Sequence, residues 1–250
     1  MTPDGNGRVR VTEREEVRAR EEMRPIEEQI ERAETRISLS PIASPSILGF
    51  FGLGHASWIV GGFLAGWFDI PAAATLFFPF LLTFGGLGMF LAGMWAFRAR
   101  DHLGSFAFTM WGTLWLAVGG ITLFLAGDAA ASLTVTGAPL GMIFVALAAA
   151  TWIATIASAW RNLAVLLTWG LAAAAATSIA IGAFTLATGW FVVAGWLLVA
   201  TAVLAWYTAA ARLFNTMAGH SILPVGQLGG ARRRASLDAG LGEPGITESW

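Results

Sequence analysis

Polar and apolar positions along the chain alternate in long blocks: extended apolar runs separated by short polar breaks. Six runs reach the ~20 mostly apolar residues that a helix needs to cross a bilayer. They are Ile47 to Trp67, Ala72 to Phe97, Leu103 to Ala126, Pro139 to Trp160, Leu163 to Leu186 and Trp190 to Ala211. Arg98 to His102 divides the second run from the third, Arg161-Asn162 the fourth from the fifth, and Ala187-Thr188-Gly189 the fifth from the sixth. The pattern predicts an all-α integral membrane protein, a six-transmembrane-helix bundle spanning residues 41–227. A polar N-terminal tail at 1–40 precedes it and a C-terminal tail at 228–250 follows. Thr12-Glu-Arg-Glu15 has capping-box spacing, so the first tail reads as a partly helical or disordered cytoplasmic extension. The second reads as disordered. The charged lead-in is too long and too acidic for the n-region of a signal peptide, so none is expected.

Composition sharpens the choice of solvent. The 250 residues are 56% hydrophobic and 12% charged, against about a quarter charged in a soluble domain. A net charge of -1 gives nucleic acid no basic face to bind. The absence of cysteine excludes disulfides, thiol catalysis and cysteine metal sites together. Between Ile37 and Ala211 the formally charged residues are Asp69, Arg98, Arg100, Asp101, Asp128 and Arg161. Arginines occupy the breaks after spans two, four and six, whereas the breaks after spans one, three and five carry Asp69, Asp128 and no basic residue. The positive-inside rule then places both termini in the cytoplasm. Trp67, Trp160 and Trp190 fall at span ends, where interfacial aromatics belong.

Candidate chemistry inside the spans is sparse. No Asp, Glu, Arg or Lys lies well within any of them, although coupled carriers often place an ionisable group near the midplane. His55 stands about a third of the way along span one. It is read either as a carboxylate ligand or proton relay, or as a ring hydrogen-bonded to a neighbouring carbonyl or hydroxyl. His55 and Ser57 are two apart on a helix and point away from each other, so they form no hydrolase pair. The other histidines, His102 and His220, sit in polar breaks. No metal site and no cofactor are implied, and the chain reads as a non-enzyme. Gly62-Phe-Leu-Ala-Gly66 has the GxxxG spacing of close helix contacts, and Gly85, Gly86, Gly88 and Gly93 thin one side of span two. An uncharged bundle with scattered hydroxyls suits a narrow pathway for a small weak acid or a small neutral molecule.

The second and third spans carry a family resemblance. Phe84-Gly85-Gly86, Ala92-Gly93, Gly104, Ala107-Phe108-Thr109, Gly112 and Trp115-Leu116 resemble helices two and three of the acetate uptake transporter (succinate–acetate permease) family. Tyr207, Asn215, Gly219 and Leu223-Pro224-Val-Gly226 resemble its closing segment. The likeness runs from about Ala43 to Gln227. It implies a pore through each six-helix protomer, a homo-hexamer in the cytoplasmic (inner) membrane, and proton-linked passage of acetate, related small monocarboxylates or succinate.

The resemblance also nominates residues. The family signature Asn-Pro-Ala-Pro-Leu-Gly-Leu falls on Ser44-Pro45-Ser46-Ile47-Leu48-Gly49-Phe50, with Ser in place of Asn and Ile in place of the second Pro. Its hydrophobic constriction falls on Leu53, Trp111 and a position near Leu171. Trp111 replaces a Tyr and offers an N–H that only donates. With His55 added from its place in span one, the expected pathway is Ser44, Pro45, Leu48, Gly49, Leu53, His55, Trp111 and Leu171. Gly85, Gly86, Phe108, Thr109, Asn215 and Pro224 are expected as structural motif residues. Competing readings are a channel for ammonia, urea or a short amide, a membrane scaffold working through its N-terminal tail, and an intramembrane enzyme.

Overall fold

A computed structural model describes residues 43–68, 77–124 and 137–226. Both polar tails, including the capping-box segment at 12–15, lie outside the described residues. Six helices follow in order: α1 Pro45–Leu64, α2 Phe77–Arg98, α3 His102–Phe124, α4 Ala138–Ser158, α5 Leu163–Thr185 and α6 Thr188–Ala218. Each is long and apolar enough to cross a membrane. The helices are nearly apolar all round, so lipid and protein interior alike face nonpolar side chains.

The ends form where the chain supplies caps. Pro45 and Pro139 sit in the first turns of α1 and α4, where a missing N–H removes no helical bond. Asp101 accepts the Gly104 N–H at 3.0 Å and starts α3. Asn162 accepts the Val165 N–H at 2.9 Å and starts α5. These side chains satisfy donors that a helix start otherwise leaves unpaired.

Packing closes the six helices into a ring in chain order. α1 lies extensively against α6 and also contacts α2. α2 packs on α3, and α5 sits between α4 and α6. The α3–α4 seam is the slightest contact in the ring. Small residues permit the tight approaches, since backbone contact must replace the missing hydrophobic drive. A Cβ on Gly86 would stand 2.8 Å from the Leu116 nitrogen, and one on Gly112 would stand 2.6 Å from the Phe90 nitrogen. The Gly62–Gly66 spacing, however, makes no such contact. Gly61 approaches the Gly195 carbonyl instead, and Gly66 lies in the turn after α1 at φ +78°. Spacing alone could not tell which of two adjacent glycines faces the neighbouring helix.

Two features depart from a plain reading of the spans. Leu81–Leu87 is wound as a π-helix within α2, and a Cβ on its Gly85 would meet Ala56 of α1 at 2.7 Å. α6 runs on to Ala218, past the expected end at Ala211. It continues because its polar residues there find partners. Asn215 accepts the N–H groups of Ile222 and Leu223 at 2.7 and 2.9 Å and donates to the Leu223 carbonyl at 3.0 Å. Tyr207 donates to the Pro224 carbonyl at 2.6 Å. The segment so folded back offers its Val225 and Gly226 carbonyls to the Ala164 and Leu163 N–H groups at 3.1 and 2.8 Å. A C-terminal latch thus completes the cap of α5 and ties it to α6.

Candidate functional site in the ring interior

Three helices that begin at the Arg-bearing end converge on the ring's interior. One layer there is made of Phe50 from α1, Phe108 from α3 and Trp169 from α5, all buried. Their rings touch pairwise. Phe50 and Phe108 meet edge-to-face with centroids 5.0 Å apart, Phe108 and Trp169 lie at 5.7 Å, and Phe50 and Trp169 at 6.1 Å. These distances fall within the favourable range for aromatic pairs. Gly49 makes the approach possible, because a Cβ there would stand 2.6 Å from the Phe108 ring. The layer closes the space between α1, α3 and α5.

One turn further along the same helices come Leu53, Trp111 and Ala172, also buried in the same core. Trp111 is fixed in place. Its indole N–H donates to the Thr151 hydroxyl at 3.0 Å, and Thr151 donates its own proton to the Leu147 carbonyl at 2.6 Å. Thr155, Ser158, Thr168 and Thr208 likewise donate to carbonyls four residues earlier. A hydroxyl spent this way keeps only its lone pairs to offer. These hydroxyls therefore present acceptor oxygens beside the ring faces.

Above the aromatic layer, at the Arg-bearing end, lies a cavity of about 10 Å³. That is room for roughly one water. It is bounded by Ser46, Phe50, Asp101, Arg161, Trp169 and Arg212, among others. Arg161 donates from Nη2 to Asp101 Oδ1 at 2.8 Å. Arg212 donates from Nη1 to the Ser46 hydroxyl at 2.9 Å, and its guanidinium stands 5.7 Å from the Phe50 ring centroid. Ser46 in turn lies 2.7 Å from the Ser44 hydroxyl. Charge is thus concentrated in a mouth directly outside an apolar seal.

The nominated residues divide across this frame. Pro45, Gly49, Leu53 and Trp111 are buried at or next to the two layers. Ser44 is half-buried beside Ser46, and Leu48 is 48% exposed. Leu171 is half-buried and outside the core cluster, and Trp169 and Ala172 are the buried residues of that stretch. His55 is half-buried on the flank. Its Nδ1–H donates to the Phe51 carbonyl at 2.6 Å, and its ring stacks on Phe84 at 5.5 Å and meets Trp206 edge-on at 5.7 Å.

The motif residues all lie at contacts between elements. Phe108 and Asn215 have been placed in the seal and the latch, and Gly85 and Gly86 in the α1–α2–α3 contact. Thr109 sits against Gly93, and Pro224 supplies the carbonyl for Tyr207. Phe50, Trp169, Asp101, Arg161 and Arg212 escaped the sequence reading as site residues. The signal available was the i, i+3 spacing from Phe50 to Leu53 and from Phe108 to Trp111, which repeats the layer one turn away.

Six helices, each long and apolar enough to cross a membrane, define a multi-pass membrane protein. The sequence profile of the GPR1/FUN34/yaaH family matches residues 28–229, and the chain belongs to that family, the acetate transporter family that its helix-two and helix-three motifs resemble. Its fold is similar to that of a solved structure titled "Structure of the bacterial acetate channel SatP", at a TM-score of 0.65 and 22% identity. That match covers 74% of this chain and 99% of the other. No curated protein matches the chain.

Proposed function

We propose that this protein carries small monocarboxylates such as acetate, together with a proton, through the interior of each six-helix ring. The observation that supports this most strongly is the pairing of an arginine-bearing mouth with an aromatic seal, in a fold shared with an acetate channel. The mouth offers guanidinium groups, whose planar N–H fork matches a carboxylate. The seal offers no charged group, so a bare carboxylate would lose its hydration with nothing to replace it. A weak acid avoids that cost by crossing the seal in its protonated form. Proton linkage then comes from desolvation, and we place His55 outside the pathway.

We read the Arg-bearing end and both termini as cytoplasmic, by the positive-inside rule. The hexamer and the inner-membrane location are carried over from the family resemblance. The exposed rings of Trp58, Trp95, Trp152 and Trp196 supply apolar surface for lipid and for neighbouring copies. The test is uptake of labelled acetate into proteoliposomes. Uptake should rise as external pH falls, and propionate should compete. Flux of urea that equals that of acetate, without competition between carboxylates, would move the assignment to a neutral-solute channel.

A further inference from the structure

We propose that Arg98 and Arg100 bind the phosphate of one anionic phospholipid, whose acyl chain lies along the exposed face of α2. The site faces the bilayer rather than the ring interior, and it is independent of which solute crosses.

The face is set by the helix period. The α-helical part of α2, Gly88–Arg98, buries Met89, Ala92, Gly93 and Ala96. Leu87, Leu91, Met94 and Trp95 are exposed, and Arg98 continues their stripe. These positions recur at three- and four-residue steps, so they share one side of the helix. From Leu87 to Arg98 the stripe runs about 16 Å at ~1.5 Å per residue. One leaflet contributes about half of a ~30 Å hydrocarbon core. Trp95 stands beside the charged end, where interfacial aromatics belong. An apolar stripe one leaflet long with a cation at its end has the dimensions and polarity of a single phospholipid.

Charge decides the head of that lipid. Arg98 and Arg100 are both exposed, and neither guanidinium has a hydrogen-bond or ion-pair partner among the described residues. Asp101, next in the chain, is committed elsewhere: its Oδ1 accepts from the Gly104 N–H and from Arg161. Arg100 also holds a left-handed backbone at φ 56°, which glycine adopts freely and an L side chain only at a cost. A ligand for the guanidinium offsets that cost. The guanidinium fork matches phosphate oxygens, and arginines at a membrane surface attract anionic lipid. A zwitterionic lipid carries its own cation beside its phosphate and loses most of that attraction. Free phosphate would use the arginines and leave the stripe unused.

The experiment follows the melting temperature of the full chain in uncharged detergent as dioleoyl phosphatidylglycerol, dioleoyl phosphatidylcholine or inorganic phosphate is added. Phosphatidylglycerol should raise it by about 5 °C near saturation, and the other two should raise it little. Arg98→Gln combined with Arg100→Gln should increase the half-saturating phosphatidylglycerol concentration about thirtyfold, the effect of two arginines at an anionic surface. Arg100→Gly should raise the melting temperature without lipid, by relieving the backbone, yet weaken phosphatidylglycerol about fivefold. A merely structural Arg100 would not split the two readouts. If the double variant fails to fold, Arg98→Gln and Arg100→Gly are each measured alone. An equal response to phosphatidylcholine, or an unchanged phosphatidylglycerol response in the folded variants, overturns the proposal. A response to inorganic phosphate as large as that to the lipid overturns it too, since the stripe then adds nothing. So does a fall in oligomer size in Leu91→Gln with the lipid response intact, which would make the face an interface between copies. No arm involves transport, so failure here and failure of the monocarboxylate reading are told apart.

Discussion

Two layers of the ring interior, one helical turn apart on the same three helices, are built on different principles. Phe50, Phe108 and Trp169 are three rings in mutual contact, held by shape alone. Leu53, Trp111 and Ala172 combine a large, a medium and a very small side chain, and the large one is held by a hydrogen bond to a fourth helix. The first layer can part when rings turn, because no polar bond is broken. The second is propped open or shut by whatever Trp111 and Thr151 do together. We therefore assign the barrier to the aromatic layer and treat the Trp111 layer as its rigid support. Hydrophobic constrictions of this kind gate by excluding water.

The sharpest way to break this comparison is to remove one ring. Trp169→Ala should raise acetate uptake by roughly tenfold, the effect of lowering a barrier by ~1.4 kcal/mol, and admit longer monocarboxylates. Leu53→Ala should change uptake far less. The opposite ranking would transfer the barrier to the second layer.

A smaller effect should come from the latch, which holds the start of α5 and therefore Trp169. Asn215→Ala removes a side chain that satisfies two backbone N–H groups and one carbonyl. Losing these part-buried hydrogen bonds costs about 0.5–1.5 kcal/mol each, so the variant should melt earlier in detergent and leak acetate. A native melting temperature would show that the latch carries no load.

Trp111→Phe keeps a ring and deletes the N–H bond to Thr151, a loss of about 1 kcal/mol. Thr151→Val should cost a similar amount, and the double variant should cost little more than either. Additive losses would mean the two residues act apart. At the small end, His55→Ala should leave the pH dependence of acetate uptake unchanged. A flattened profile would return His55 to the pathway.

The six helices were legible because lipid imposes a length and a polarity that composition cannot hide. Breaks at Arg98–His102 and Arg161-Asn162 became turns, capped by the Asp101 and Asn162 side chains within them. The extension of α6 was less legible. Arg212 looks like the polar end of a span until Ser46, distant in sequence, is seen beside it. The π-helical turn at Leu81–Leu87 was not legible either; its Gly85 lies against Ala56 of α1, a contact that no local propensity encodes. On the site, Leu53 and Trp111 were reachable by resemblance. The third nominated position, near Leu171, is half-buried, and the buried residues of that stretch of α5 are Trp169 and Ala172, which resemblance did not single out. The Asp101–Arg161 pair was hidden for a simpler reason. Both residues read as topological markers, and only the closed ring brings the two turns to one mouth.

The native chain contains no cysteine, so single introduced thiols report without background. Ser44→Cys, half-buried, lies on the mouth side of the aromatic layer and Leu53→Cys lies one turn beyond it. Each should be exposed to a charged, membrane-impermeant thiol reagent added from the Arg-bearing side, in the native background and with Trp169→Ala. The barrier assignment predicts that the thiol at 44 reacts in both backgrounds, and that the thiol at 53 reacts only when Trp169 is gone. Equal reaction at both positions in the native background would contradict it.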